Sequence, residues 1–248
     1  MTLREPVQML WIGSRLSTLE RLSIASFLAN GHPVHLFAYG PIGGTPAGTT
    51  LLDAREIYPE SAIFTYQDGW GKGSPAAFAN LFRYKVLLER GGSWSDTDMV
   101  CVRPLEFLAG MPLVIASQRM PPTPDEPHPA RFNPCFLKGE RGHPAMRDCF
   151  ERCAARKPEE LQWGMTGPDL ATEVFASRGL MPAVVHPDVF CPVDFWRVPE
   201  FVSGPFAAPA NTHCVHLWNE MWRHHGLDKD AAYPPNGAYE ALKRRYLA

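Results

Sequence analysis

The segment from Ala79 to Asp98 constrains this chain more than any other. Ala79-Asn80-Leu81-Phe82-Arg83-Tyr84 lies in a helical pattern that stops at Gly91-Gly92, a short strand Ser93-Trp94-Ser95 follows, and Asp96-Thr97-Asp98 comes next. In an extended segment side chains alternate faces, so Asp96 and Asp98 are expected to point one way and Thr97 the other. Two hard oxygen ligands on one side can hold a divalent cation such as Mn²⁺ or Mg²⁺. Such a cation can in turn grip a diphosphate. The stretch from Trp94 to Val102 is otherwise apolar, and an unpartnered carboxylate there is costly. The bland alternative is a helix-to-strand turn in which Asp96 caps backbone N–H groups.

Flanking patterns predict an α/β fold. Val7 to Ile12 reads as a buried first strand, and Ser17-Thr18-Leu19-Glu20 as a capping box opening a helix that stops at Asn30-Gly31. Val34 to Tyr39 reads as a second strand. This opening suits a sheet whose ligands bind at the carboxyl ends of its strands, which places Trp11-Ile12-Gly13 at the binding edge. Gly43-Gly44 and Gly48 mark a loop too irregular for a phosphate-cradling fingerprint. Ser74-Pro75 reads as N-cap and first position of the helix that runs to Arg90. Asn80 and Arg83, three apart, share one of its faces. Further expected elements are strands Trp94 to Asp96, Met99 to Val102, Leu113 to Ser117 and Thr212 to Leu217. Helices are expected over His143 to Ala155, Pro168 to Ser177 and Tyr239 to Tyr246. Pro121 to Pro134 reads as a long surface loop of the kind that covers a site.

Composition excludes several classes. The 248 residues suit one domain with a sizeable core, and the net formal charge of −2 with no long run of one sign argues against a nucleic-acid binder. Met1 to Pro6 shows no secretory pattern, and no run approaches the ~20 apolar residues of a membrane span. These features predict a cytoplasmic protein, with peripheral contact at the inner face of the membrane as its closest approach to lipid. None of the six cysteines forms a C-x-x-C pair; Cys149 and Cys153, one turn apart, read as core residues in a reduced protein.

Beyond the paired carboxylates and the Arg103-Pro104-Leu105 that follows, three blocks resemble the D-x-D sugar-transferase family. That family includes the initiation-specific α-1,6-mannosyltransferases and the α-1,4-galactosyltransferases. Ala79 to Tyr84 looks like its Ser-Asp-x-x-Arg-Tyr helix, whose acidic residue and arginine hold the donor's sugar and phosphates. Arg83 matches; Asn80 departs, with an amide where the family has a carboxylate. A structural salt bridge to Glu89 or to a D-x-D aspartate is the alternative for Arg83. Gly167-Pro168-Asp169-Leu170 resembles the segment that opens a helix near the acceptor side, although a plain helix start explains it equally well. Cys214-Val215-His216-Leu217-Trp218-Asn219 resembles the late His-x-Trp-Asn block, in which a histidine completes the metal's ligands; a hydrogen-bonded core histidine is the alternative.

The resemblance implies a GT-A-type single domain, 1–248, a nucleotide-binding mixed sheet flanked by helices. Residues 1–118 would form the nucleotide-sugar and metal half, and 119–248 the acceptor half with its late metal-ligand strand. It implies a retaining, metal-dependent transfer of a sugar from a nucleotide-sugar donor, a UDP-sugar, to a saccharide or glycolipid acceptor. Asp96, Asp98, Arg83 and Asp169 are the catalytic candidates. Trp11, Gly13, Asn80, Arg83, Asp96, Trp218 and Asn219 are the candidates for holding the donor, and Asp96, Asp98 and His216 for holding Mn²⁺ or Mg²⁺. Two other readings stay open: a metal-dependent phosphate-ester hydrolase, for which no lysine or threonine motif is found, and an idle sugar-binding relative, suggested by Asn80.

Overall fold

A computed structural model describes residues 5–122 and 130–247. The chain opens with β1 (Val7–Trp11), α1 (Thr18–Ala29), β2 (Val34–Ala38) and an edge strand β3 (Thr50–Asp53). Both predicted caps of α1 form: Ser17 accepts from the Leu19 N–H, and Glu20 accepts from the Ser17 N–H at 2.8 Å. Strand β3 occupies what the glycines suggested was all loop. Its residues are mostly exposed, and a sheet edge leaves little apolar pattern to read.

The long helix α2 (Ala76–Arg90) leads through Gly91 into β4 (Gly92–Ser95), and a turn separates β4 from β5 (Met99–Cys101). After β6 (Leu113–Arg119) and β7 (Ala130–Gly139) come α3 (Pro144–Ala154), α4 (Pro168–Ser177), and the short α5 (Pro187–Phe190) and α6 (Glu200–Ser203). β8 (Cys214–His216), α7 (Asn219–His224) and α8 (Ala238–Tyr246) complete the chain. Most of the expected loop over Pro121 to Pro134 is not loop where it is described. Residues 123–129 lie outside the described residues, and from Ala130 the backbone pairs with β6.

Six strands form one sheet in the order β3-β2-β1-β4-β7-β6. The first four are parallel, and β7 runs antiparallel to both β4 and β6. This is the mixed sheet flanked by helices that the resemblance implies, and it takes strands from both sides of the expected division at 118/119. The chain proceeds outward from β1 to β2 and β3, then returns to place β4 on the other side of β1. That reversal is a topological switch point, and ligands bind at the carboxyl ends of the strands beside it. Trp11 ends β1 and Ser95 ends β4, so the stretch that begins at Asp96 leaves the sheet at that crevice.

Each face of the sheet has its own core, which is why β1 is buried on both faces. Val7 and Met9 join Leu19, Leu22 and Phe27 of α1 on one side. Leu10 and Phe37 join Phe78, Leu81 and Phe82 of α2, with Trp94, on the other. A two-stranded antiparallel pair, β5 with β8, lies outside the main sheet. It sits against α1: the Ser23 hydroxyl donates to the Met99 carbonyl at 2.6 Å, and Ser26 accepts from the Cys101 N–H at 2.8 Å.

Gly91 makes the helix-to-strand reversal possible. Its backbone, φ 70° and ψ −163°, lies in a region essentially reserved for glycine, and a Cβ there would sit 2.6 Å from the Arg141 backbone nitrogen. The side chain of buried Gln8 donates to the Gly91 carbonyl at 2.8 Å, tying the reversal to β1. Gly91→Ala is expected to destabilise the fold by at least about 1–3 kcal/mol, the cost of the backbone conformation before any clash. Urea unfolding would show this as a lower midpoint at unchanged slope.

Candidate active site

The D-x-D is a turn, not the extended segment predicted. Strand β4 ends at Ser95, the Met99 N–H reaches back to the Asp96 carbonyl at 3.3 Å, and β5 then departs into the second sheet. Both carboxylates nevertheless converge, because each is pinned from a different side. The Asp96 N–H donates to the Cys135 carbonyl at 2.8 Å. Its Oδ1 accepts from Trp94 Nε1 at 2.8 Å and pairs with Arg83 Nη2 at 2.8 Å. Asp98 is more deeply held: Oδ2 accepts from the Asn219 N–H at 2.8 Å and lies 3.2 Å from His216 Nε2, while its carbonyl accepts from the Leu217 N–H at 2.9 Å. The other oxygen, Oδ1, is buried and has no partner.

His216 arrives on β8, whose register sets it opposite Met99, one residue after Asp98. Ligand atoms of Asp96, Asp98 and His216 all lie within 4.8 Å of one another. Burial disfavours charge on Asp98, but the facing His216 and the Asn219 N–H outweigh it and hold the carboxyl below its ordinary range. Burial likewise opposes protonation of His216, yet Asp98 and Cys135 outweigh it and lift the imidazole to about 10. Behind it, His216 Nδ1 lies 3.7 Å from Cys191 Sγ, which is 3.7 Å from Cys135 Sγ. A sequence reading had no means of finding these thiols; with His216 they come from three distant segments.

Strand β8 is shorter than predicted, and Trp218 does not continue it. Trp218 has φ 58° and ψ 57°, the one non-glycine residue with positive φ among those described. A bulky residue in this left-handed region is strained by roughly 1–2 kcal/mol. The turn sends Trp218 Nε1 to the Val193 carbonyl at 2.8 Å, while its ring still lies 3.8 Å from the His216 ring. It also starts α7 at Asn219, whose N–H is thereby aimed at Asp98. The Asn219 side chain turns instead to Lys229, which pairs with buried Glu20 at 2.7 Å.

Arg83 is 5% exposed and bridges two strands. Nη1 donates to the Pro134 carbonyl at 2.6 Å and Nη2 pairs with Asp96, while buried Nε has no partner. So the arginine has the D-x-D partner weighed from sequence, and Glu89 pairs with Lys85 instead. The Pro134 carbonyl is available because β7 is irregular there: Ile115 pairs with Leu137 but Ala116 pairs with Asn133. Such a bulge re-aims backbone groups next to a site. Asn80 is also engaged, its Nδ2 donating to Thr166 Oγ1 at 3.1 Å.

These groups line one cavity of about 550 Å³. Trp11, Asn80, Arg83, Asp96, Asp98, His216, Trp218 and Asn219 face it, as do Gln118 and Asn133. Two sequence candidates stand elsewhere. Gly13 lies beside the Trp11 ring, where a Cβ would come 3.1 Å from Nε1, and it does not line the cavity. Asp169, in the first turn of α4, pairs with Arg131 and does not reach the carboxylate cluster. The physical reason is local: a half-exposed carboxylate at a helix start takes the nearest guanidinium.

Residues 47–120 match the family described as the glycosyltransferase sugar-binding region containing the DXD motif. The match takes in the helix of Asn80 and Arg83 and the D-x-D itself. Among solved structures it is similar to the PaToxG glycosyltransferase, with 14% identity over 99% of this chain and 86% of that one, at a TM-score of 0.49. It is also similar to the bifunctional glycosyltransferase WbbM, with 10% identity over 100% of this chain and 52% of that one, at a TM-score of 0.45. No curated protein matches it. Within the matched region fall Asn80, Arg83, Asp96 and Asp98; His216 and Trp218 fall outside it.

Arg83→Lys tests whether the guanidinium is needed for its two directions at once. A lysine is a point donor and cannot serve Pro134 and Asp96 in the same fork geometry. A buried group left unpaired costs about 1–3 kcal/mol. The expected result is a folded protein with a lower unfolding midpoint, read by denaturation.

Proposed function

We propose that the protein transfers a sugar, with retention at the anomeric carbon, from a nucleotide-sugar donor to a saccharide or glycolipid acceptor, in a reaction that depends on a divalent cation. A UDP-sugar is the proposed donor and Mn²⁺ or Mg²⁺ the proposed ion. The observation that carries this reading is the Asp98 Oδ1 atom. It is buried and unpartnered, yet it stands beside Asp96 and His216 on the wall of the cavity. A buried oxygen of this kind is costly unless a donor or cation meets it. Its chemistry, two carboxylates and an imidazole, suits a hard or borderline divalent ion. No helix among the described residues is long and apolar enough to cross a membrane.

Asp96, Asp98 and His216 would hold the ion, which when bound supplies Lewis-acid neutralisation of the charge that develops on the leaving diphosphate. The chain's own residues do the rest. Asn219 and Leu217 fix Asp98 through their backbone N–H groups, and the carboxylate oxygen Oδ1 is left without a protein partner. Arg83 holds Asp96 with one arm, and its Nε–H remains a donor for an anionic oxygen. Trp11, at the end of β1, offers an aromatic face for the base. Asn80 offers an amide for sugar hydroxyls, already oriented by Thr166. The hydrolase alternative gains no support: among the described residues no lysine lines the cavity.

Two outcomes test this. Release of nucleoside diphosphate from a panel of nucleotide sugars should disappear with chelator and return with Mn²⁺. Asp98→Asn should lower it by more than the ~100-fold seen when only a supporting residue of a metal site is lost, with the fold retained by circular dichroism. A folded Asp98→Asn protein with normal turnover would remove the core of the proposal. Asn80→Asp should separately change which nucleotide sugar is preferred, since a carboxylate accepts from hydroxyls more strongly than an amide. The same panel measures it.

A further inference from the structure

The wall of the cavity carries an aromatic ledge that the donor and its ion do not use. Trp70 and Trp163 both line the cavity, and they are 41% and 39% exposed, whereas Trp94 and Trp222 are each 1% exposed. Their rings lie 4.6 Å apart at 61°. Large apolar side chains left open beside a polar cleft mark a surface that meets a ligand.

The ledge is built rather than incidental. Trp163 rests on Tyr66 with ring centres 5.3 Å apart, and Trp70 stacks on His224 at 3.8 Å and 13°. The Trp70 carbonyl accepts from Arg223 Nη2 at 3.1 Å, so α7 grips this loop from the far end of the helix whose first N–H holds Asp98. The loop is closed by the Tyr66 N–H on the Ser74 carbonyl at 3.0 Å and the Gly73 N–H on the Tyr66 carbonyl at 2.9 Å. Gly71 leaves room for the indole: a Cβ there would come 2.4 Å from Trp163 Cε3 and 2.9 Å from Tyr66 Cδ2. His224 is thus half of a stack.

Position assigns the ledge to one end of the cavity. Trp163 immediately precedes Gly164 and stands three residues from Thr166, which holds Asn80. Trp163 therefore lies near Asn80, the residue that the reading above gives to the donor's sugar. A molecule beyond the donor sugar is the acceptor.

We propose that Trp70 and Trp163 form the acceptor subsite and that the acceptor seats a saccharide ring there; this rests on the transferase reading above. A pyranose has an apolar C–H face and a rim of hydroxyls. A rigid indole covers such a face at little conformational cost. Polar groups close by on the same wall, Arg131 and Glu220, suit the hydroxyl rim and would be poor neighbours for an acyl chain.

The test uses the intact protein with UDP and Mn²⁺ present. Maltotetraose, cellotetraose, mannotetraose and chitotetraose are titrated in turn, read by tryptophan fluorescence and calorimetry. At least one tetrasaccharide is expected to bind. Trp70→Ala and Trp163→Ala should each weaken it about tenfold, the worth of one aromatic contact, with UDP–Mn²⁺ affinity changed by less than about twofold. Trp70→Phe and Trp163→Phe, which keep a ring and guard against misfolding, should lose less. Failure of all four sugars to bind a protein that binds UDP–Mn²⁺ overturns the proposal. So does equal binding by the variants, or a parallel loss of UDP–Mn²⁺, which would give the ledge to the donor. If the parent itself does not bind UDP–Mn²⁺, the donor reading fails instead.

Discussion

The site depends on Asp98 being held by a segment more than a hundred residues away. Its carbonyl takes the Leu217 N–H, its Oδ2 takes the Asn219 N–H, and His216 faces the same oxygen. These contacts follow from one structural decision, the antiparallel pairing of β5 with β8. The pair stands apart from the main sheet, so the chain must leave the sheet right after Asp96. The turn at the D-x-D is the consequence, and with it the convergence of two carboxylates on one imidazole. A buried, partly satisfied carboxylate is expensive, and the strained backbone of Trp218 adds to the cost. Features that weaken a fold in this way collect at sites of chemistry.

The opposite wall is set by a defect in the main sheet. Between Ile115 and Ala116 the pairing of β6 with β7 slips. The slip turns the Pro134 carbonyl toward Arg83 and gives Asp96 its N–H acceptor at Cys135. It also brings Cys135 beside Cys191, behind His216. Arg83 is therefore a strut between α2, β4 and β7 as much as a candidate ligand for phosphate. The two roles are compatible, because its three donor positions point in different directions and only Nε is unused.

Much of this was legible in the chain. The alternation of apolar strands with capped helices announced the α/β class, and the capping box and Gly91-Gly92 fixed where α1 opens and α2 ends. Asp96 and Asp98 stood out by type and spacing, because paired carboxylates within an apolar stretch are conspicuous, whereas Arg83 and His216 were singled out only by the resemblance to the D-x-D transferases. What misled was local. The extended geometry expected for Asp96-Thr97-Asp98 ignored that the chain changes sheets there. Strands β3 and β7 were missed because an edge strand, and a strand interrupted by Pro134, carry weak patterns.

The sequence by itself determined the fold class, the two-faced core and the identity of the charged residues, since these follow from periodicity and from the cost of burying charge. Tertiary structure alone decided which of those residues meet. It turned Asp169 to Arg131, put Gly13 under Trp11 and not in the cavity, and gathered Cys135, Cys191 and His216 into one cluster. It also set Trp70, Trp163 and His224 on one ledge. The physical reason is range. Helix and strand patterns act over a few residues, whereas these contacts join segments far apart in the chain, fixed by strand order and by a slip in register that no short window of sequence contains.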